Sequence, residues 1–102
     1  MKTYITARGP KGTALPPLEV RPLRYFNFYG RRCFVRKSEY HDGYLAHEYE
    51  TGLSLNGGDS VHEAMTTSRA MMRREGREKT ERAATRWIKR HGRTNPPEEK
   101  KP

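Results

Sequence analysis

The sequence lacks the features that mark secreted and membrane-bound proteins. A single cysteine, Cys33, excludes an intramolecular disulfide and fits a reducing cytosol. No apolar run approaches the roughly 20 residues that a membrane span needs, and residues 1–8 contain no hydrophobic signal region. Only 32% of the residues are hydrophobic, which limits the folded core to roughly two-thirds of the chain. We expect a small cytoplasmic protein with no membrane partner.

Motifs for catalysis and metal binding are also absent. The potential metal ligands have no zinc-site spacing; they are Cys33, His41, His47, His62 and His91. Residues 56–59 contain two glycines but neither the spacing nor the lysine of a phosphate loop. Glu48 and Glu50 share one face of a strand, where a solvated acidic edge is a simpler interpretation than a general acid and base. The sequence therefore predicts a protein that is not an enzyme, with no metal, cofactor or small-molecule substrate.

Positive charge is the most prominent feature that is present. The chain has 21 basic and 12 acidic residues, which gives a net charge of +9. The net charge is +7 for residues 1–40, −4 for residues 41–60 and +5 for residues 61–91. Two basic segments of this kind attract polyanions, because binding releases condensed counterions. The acidic segment between them offers a second surface of opposite charge.

The middle of the chain has the composition of antiparallel strands. Aromatic residues over 23–29 and the run over 32–37 predict a hairpin that turns at Gly30-Arg31, with Cys33 as a small strand residue. Residues 44–50 alternate, with Tyr44, Ala46 and Glu48 on one face and Leu45, His47 and Tyr49 on the other. Thr51-Gly52 predicts a turn or bulge, and residues 53–55 a short fourth strand. Gly57-Gly58 is expected to break the extended pattern.

A helix is predicted to begin after Ser60. Ser60 and Glu63 have capping-box spacing, in which the hydroxyl accepts from the Glu63 amide and the carboxylate reaches back to the Ser60 amide. An apolar stripe follows at three- and four-residue intervals; it consists of Val61, Ala64, Met65, Ser68, Met71 and Met72. Gly76 interrupts this pattern, which resumes from Thr80 to Ile88 and ends near His91-Gly92. The interruption indicates either a kink or two helices.

These elements predict an α+β fold. An antiparallel sheet of three or four strands packs against a long C-terminal helix, with or without a kink at Gly76. Residues 1–22 form a Pro/Gly-rich extended arm, residues 23–91 the single domain, and residues 92–102 a disordered tail.

Basic and aromatic residues alternate in the predicted hairpin and continue along the helix. The binding candidates are Arg24, Arg31, Arg32, Arg36, Lys37, Arg73, Arg74, Arg77, Arg82, Arg86, Lys89 and Arg90. Tyr25, Phe26 and Phe28 are candidates for stacking on bases, and Glu48 and Glu50 for an acidic edge. The structural alternative is an aromatic face packed under the helix, with basic residues that solvate the edges.

Two family resemblances bear on function. Residues 44–72, with a hairpin, a Gly-rich loop, a Ser cap and an Ala-containing helix, resemble the last strands and second helix of double-stranded-RNA-binding domains. A second pattern is similar to small accessory proteins of phages and mobile elements; it consists of residues 34–38, residues 41–44, His47-Glu48, residues 51–53 and the Ser60–Ala64 start of the helix. The second resemblance implies a three-stranded sheet with one helix and an inhibitor of anti-CRISPR or anti-restriction type.

The sequence thus leaves two binding classes open. The first is a non-catalytic phage or mobile-element protein that acts in the bacterial cytosol on a host nucleic-acid-handling complex. The alternative is a direct nucleic-acid-binding protein that uses the basic aromatic hairpin and the basic helix. The two classes differ in whether the acidic edge at Glu48 and Glu50 takes part.

Overall fold

The computed structural model describes residues 2–6, 15–39 and 42–96. It is an α+β fold with two antiparallel sheets and two helices. The elements are β1 (Thr3–Ile5), β2 (Leu18–Val20), β3 (Arg24–Phe28), β4 (Arg31–Lys37), β5 (Tyr44–Glu48), β6 (Ser54–Gly58), α1 (Val61–Glu75) and α2 (Arg77–His91). The fold class and the four-stranded antiparallel sheet are confirmed. His41 and residues 97–102 of the predicted tail lie outside the described residues.

The four-stranded sheet has the order β3-β4-β5-β6. Its alternation matches the prediction, because Ala46 packs on one face with Cys33 and Val35, whereas His47 stacks on Phe34 on the other. β6 runs through Gly57 and Gly58, which were predicted to end the strand. A Cβ atom at Gly57 would lie 2.9 Å from the Tyr44 carbonyl oxygen. The two glycines therefore permit close approach within the sheet instead of breaking it.

Helix α1 covers one face of this sheet. Its apolar stripe contributes Ala64, Met65 and Met72 to the core, as the periodicity predicted. The helix also covers the outer edge of β6, because the Ser68 hydroxyl accepts from the Asn56 amide (3.1 Å) and donates to the Asn56 carbonyl (3.2 Å). One side chain thus satisfies both backbone groups at an otherwise open sheet edge.

The predicted helix start at Ser60 is confirmed. The Ser60 hydroxyl accepts from the Glu63 amide at 3.0 Å. The returning contact differs from the prediction, because the Glu63 carboxylate accepts from the amide of Asp59 at 3.3 Å and not from that of Ser60. The cap therefore holds both the helix and the residue before it.

The prediction of one long C-terminal helix is corrected, because the chain forms two helices that meet at Gly76, which is the second of the two alternatives left open for this interruption. Gly76 has a φ of +89° and a ψ of 154°, a conformation that interrupts right-handed helical geometry and that glycine adopts readily. α1 and α2 still make contact beyond this break. Only Ala84 of α2 is buried, so most of the second helix faces solvent.

The opposite sheet face is covered by both ends of the described chain. Ile5 of β1, within the predicted extended arm, packs with Phe34 and Tyr49, and β1 pairs with β2. Asn95, within the predicted disordered tail, is fully buried. Its amide nitrogen donates to the carbonyls of Tyr4 (2.8 Å) and Tyr49 (2.7 Å), and its oxygen accepts from the Tyr4 amide (2.8 Å). This side chain joins segments that are 91 residues apart.

Candidate functional site

Three arginines lie over three aromatic rings beside strand β3. The Cζ atom of Arg69 is 5.2 Å from the ring centre of Phe26, that of Arg73 is 5.5 Å from Phe28, and that of Arg77 is 5.9 Å from Tyr29. We call these six residues the arginine ladder. Arg69 and Arg73, four residues apart, share a face of α1, and Phe26 and Phe28, two residues apart, share a face of β3. The third pair lies beyond both elements, because Arg77 is the first residue of α2 and Tyr29 is in the turn after β3. The second half of α1 and the start of α2 thus place three guanidinium groups over the rings of the hairpin.

The ladder is ordered and yet accessible. Phe28 and Tyr29 stack on each other with ring centres 4.3 Å apart and planes at 12°, and each cation–π contact at such a site stabilises by about 0.5–1 kcal/mol. Arg73 and Arg77 are exposed, and β3 has no strand partner on its outer side among the described residues. Three guanidinium groups are therefore held in a row beside an open sheet edge.

A second basic surface lies on the solvent side of α2. We call it the α2 basic face; it consists of Arg82, Arg86, Lys89 and Arg90, all exposed. Three of them border a shallow depression of about 590 Å³ with Glu78, Glu81 and Thr85. The acids of this region are partly paired elsewhere, as Glu81 is 3.6 Å from Arg77 and Glu75 is 2.9 Å from Lys79. Within the described chain, no ion pair involves the four residues of the α2 basic face.

The stacking candidates are divided between the two sheet faces. Phe26 is 6% exposed and packs in the core under α1, so its ring presents no free face for a base. Phe28 is half-buried beneath Arg73. Tyr25 is 42% exposed, but its ring faces the guanidinium of Arg32 at 4.1 Å. The structural alternative, an aromatic face packed under the helix, describes Phe26 well.

The predicted acidic edge is not a free edge. Glu48 is buried and bidentate with Arg31, with Oε2 2.9 Å from Nε and Oε1 3.1 Å from Nη2. Burial lowers the pKa of Arg31, but the hydrogen bond and charge of Glu48 outweigh this effect and raise it. Glu50 accepts from Arg93 Nε at 2.9 Å. Both acids, and the predicted binding residue Arg31, are therefore engaged in intramolecular pairs.

The remaining predicted residues are dispersed. Arg24 and Lys37 are exposed near the same end of the β3–β4 pairing, where Arg24 is opposite Val35, and Arg74 is exposed in the last turn of α1. Arg36 is buried on the face away from α1. Arg69 and Tyr29 were not predicted as site residues, although they pair with the predicted residues Phe26 and Arg77. The four-residue spacing of Arg69, Arg73 and Arg77 was the sequence signal that could have identified Arg69.

Cys33 is fully buried in the core, as its predicted role as a small strand residue requires. Burial raises the pKa of its thiol to about 12, so the thiol stays protonated at neutral pH. Among residues 2–6, 15–39 and 42–96, no cluster of His, Cys, Asp or Glu is arranged to hold a metal ion. Over the same ranges, neither helix is long and apolar enough to cross a membrane.

His47 occupies the centre of the sheet face away from α1. Its Nε2 accepts from Arg36 Nε at 3.0 Å, and its Nδ1 lies 3.1 Å from the carbonyl of Gly52. A neutral ring with the proton on Nδ1 satisfies both contacts. Burial, with a further contribution from Arg36, lowers the pKa of His47 to about 4, although the Gly52 carbonyl acts in the opposite direction.

The depressed pKa of His47 predicts that stability falls in mild acid. Between the usual histidine pKa of 6.5 and about 4, the unfolded chain binds a proton at His47 that the folded protein does not. The free energy of unfolding should therefore fall by roughly 3 kcal/mol as the pH drops through this window. Urea unfolding at several pH values measures it, with His47→Gln as the control. Equal pH slopes for the two proteins would contradict the assignment.

Comparison of the chain with protein-family models, curated proteins and solved structures finds no match. The two resemblances inferred from sequence patterns therefore stay predictions. The arginine ladder and the α2 basic face are two exposed basic surfaces of the described chain that are candidates for binding a ligand.

Proposed function

We propose that this protein is a non-catalytic nucleic-acid-binding protein whose contact surface combines the arginine ladder with the α2 basic face. The observation that carries the proposal is the row of guanidinium groups at Arg69, Arg73 and Arg77 over aromatic rings. No ion pair within the described residues involves Arg69 or Arg73, so their charge is available to a ligand.

Phosphate is the anion that suits these groups. Guanidinium is a planar fork that can donate two parallel hydrogen bonds to phosphate oxygens. Neutralising several phosphates releases counterions. This release of counterions supplies most of the binding free energy when a protein binds nucleic acid without sequence specificity. Stacking already engages Phe28 and Tyr29 with each other. Phosphate contacts therefore have the main role in binding, and base stacking has a minor one.

The geometry favours this class over an inhibitor of a host nucleic-acid-handling complex. That alternative drew on an acidic edge at Glu48 and Glu50 as a protein-docking surface. Both carboxylates are instead engaged by Arg31 and Arg93. The observation that separated the two classes thus supports direct binding to nucleic acid, and the inhibitor class becomes an outcome of the test.

The test is the salt dependence of binding to a fluorescent duplex and a single strand at about 50 and about 200 mM salt. Arg73→Gln with Arg77→Gln should reduce the salt slope by about two units, one for each lost phosphate contact. Arg82→Gln with Arg86→Gln should reduce it by about two units more. Affinity at the lower salt concentration should fall at least about tenfold for each pair.

The matched control keeps the positive charge at positions 73 and 77 and removes the planar guanidinium groups. Arg73→Lys with Arg77→Lys should retain the wild-type salt slope, because both phosphate charges are still neutralised, while losing bidentate hydrogen bonding. Circular dichroism should show the same helix content in all variants, since the substituted side chains are exposed. Absence of binding to either nucleic acid at the lower salt concentration would overturn the proposal and leave the inhibitor class.

A further inference from the structure

A separate basic cleft lies on the sheet face away from α1. It has a volume of about 670 Å³ and is bounded by β1, β2, the segment after β2, and the end of β4. Its charged lining residues are Lys2, Glu19, Arg21, Arg36, Lys37 and Glu39. The lining has two more positive than negative side chains, and it shares no residue with the arginine ladder or the α2 basic face.

Arg36 is the buried member of this lining. Its residue exposure is 8%, whereas Arg21 and Lys37 are exposed. Arg36 Nε donates to His47 Nε2 at 3.0 Å, and Nη1 donates to the Lys37 carbonyl at 3.2 Å. Both acceptors are uncharged, because a neutral His47 ring is the form that accepts at Nε2. These contacts hold the guanidinium in place without neutralising its charge.

A buried cation is costly unless an anion accompanies it. No ion pair in the described part of the chain involves Arg36. One acid of the cleft is already engaged, since Glu19 lies 3.7 Å from the Lys2 ammonium. Partly buried Arg31 differs, because it is bidentate with buried Glu48, so this fold neutralises the charge of Arg31 internally and not that of Arg36.

We propose that the cleft binds a phosphate group, with Arg36 at its base and Arg21 and Lys37 at its rim. A phosphate carries up to two negative charges, which matches the excess of two positive side chains in the lining. The planar guanidinium provides directional donors at the base, and the ammonium of Lys37 adds a mobile charge. The site is independent of the proposed nucleic-acid surface, and its ligand is either free phosphate or the terminal phosphate of a larger molecule.

The test follows the side-chain resonances of Arg36 and His47 by NMR during titration with inorganic phosphate. The expected result is a saturable shift of the Arg36 Nε–H signal, together with the His47 ring nitrogens to which it is bonded. Arg21→Gln with Lys37→Gln should weaken phosphate binding at least about tenfold, because two rim charges are lost. Arg21 and Lys37 are exposed, so this double variant should fold even if substitution of the buried Arg36 by glutamine prevents folding.

The matched control is Lys79→Gln with Arg93→Gln. It removes the same amount of positive charge from two exposed ion pairs whose residues do not line the cleft. It should leave the phosphate titration unchanged. An unsaturable Arg36 shift, or equal weakening in rim and control variants, would overturn the site. Failure of the ladder variants to alter duplex binding would overturn only the proposed function.

Two oligonucleotides separate the possible sources of the phosphate. A single strand with a 5′-phosphate and the same strand with a 5′-hydroxyl are titrated against the Arg36 signal. Tighter saturation by the phosphorylated strand than by inorganic phosphate supports the cleft with a terminal phosphate as its ligand. Saturation by inorganic phosphate with no difference between the strands supports the cleft with free phosphate as its ligand.

Discussion

Asn95→Ala should lower the free energy of unfolding by about 4 kcal/mol. The substitution removes a fully buried amide that bonds the Tyr4 amide, the Tyr4 carbonyl and the Tyr49 carbonyl. Each buried backbone group left without a partner costs roughly 1–3 kcal/mol. Water entering beside Tyr4 offsets part of the total, because Tyr4 is only half-buried. Urea unfolding at neutral pH measures the change.

The loss should also be local at first. Hydrogen exchange at the Tyr4 amide should accelerate in Asn95→Ala, since that amide loses its acceptor and β1 loses its hydrogen bonds to Asn95. Arg93→Gln is the control: it removes an exposed pair with Glu50 and should change stability by less than about 1 kcal/mol. A destabilisation of Asn95→Ala no larger than this control would contradict the role assigned to the amide.

Glu48→Ala should destabilise the protein by a similar amount, roughly 3–5 kcal/mol. The side chains of Arg31 and Glu48 are 15% and 8% exposed, so the substitution leaves a largely buried guanidinium without its bidentate partner. Removing both charges should cost much less, because the desolvation of both ions is then avoided. Thermal and urea unfolding of Glu48→Ala and of Arg31→Met with Glu48→Leu compare the two cases.

Glu48→Ala and the double variant also test whether the carboxylate of Glu48 has any role besides its pair with Arg31. If Glu48 serves only the internal pair, nucleic-acid affinity should be unchanged in the double variant, which keeps the arginine ladder and the α2 basic face. Equal destabilisation by the single and double variants would refute the ion-pair account. It would indicate that the packing of the Glu48 side chain, and not the charge of Arg31, accounts for the cost.

Local chemistry made part of this structure predictable. Ser60 caps α1 because its hydroxyl and the Glu63 amide are close in sequence, so the signal needs no distant partner. The alternation of Ala46 and His47 between two sheet faces likewise follows from strand geometry alone. Gly76 marked an interruption of the helix in the sequence. Its φ of +89° then decided between a kink and two helices.

The candidate site could be predicted from the sequence only in part, and the reason is physical. A list of arginines records charge, but burial and pairing determine which charges a ligand can reach. Arg31 is neutralised by Glu48, Arg36 is buried beside His47, and Arg73 lies exposed over Phe28. The surroundings of these three side chains depend on contacts across the sheet and between helix and hairpin, and no short sequence pattern predicts such contacts.

The sequence by itself determined the α+β class, the antiparallel hairpins, the capped start of α1 and the excess of positive charge. Each of these depends on residue type and on spacing within a few positions. Only the tertiary structure decided that Asn95 joins the two ends of the described chain, that Glu48 is internal, and that Arg69 completes the ladder. Those outcomes depend on partners 17 to 91 positions away, whose approach is set by packing of the whole fold.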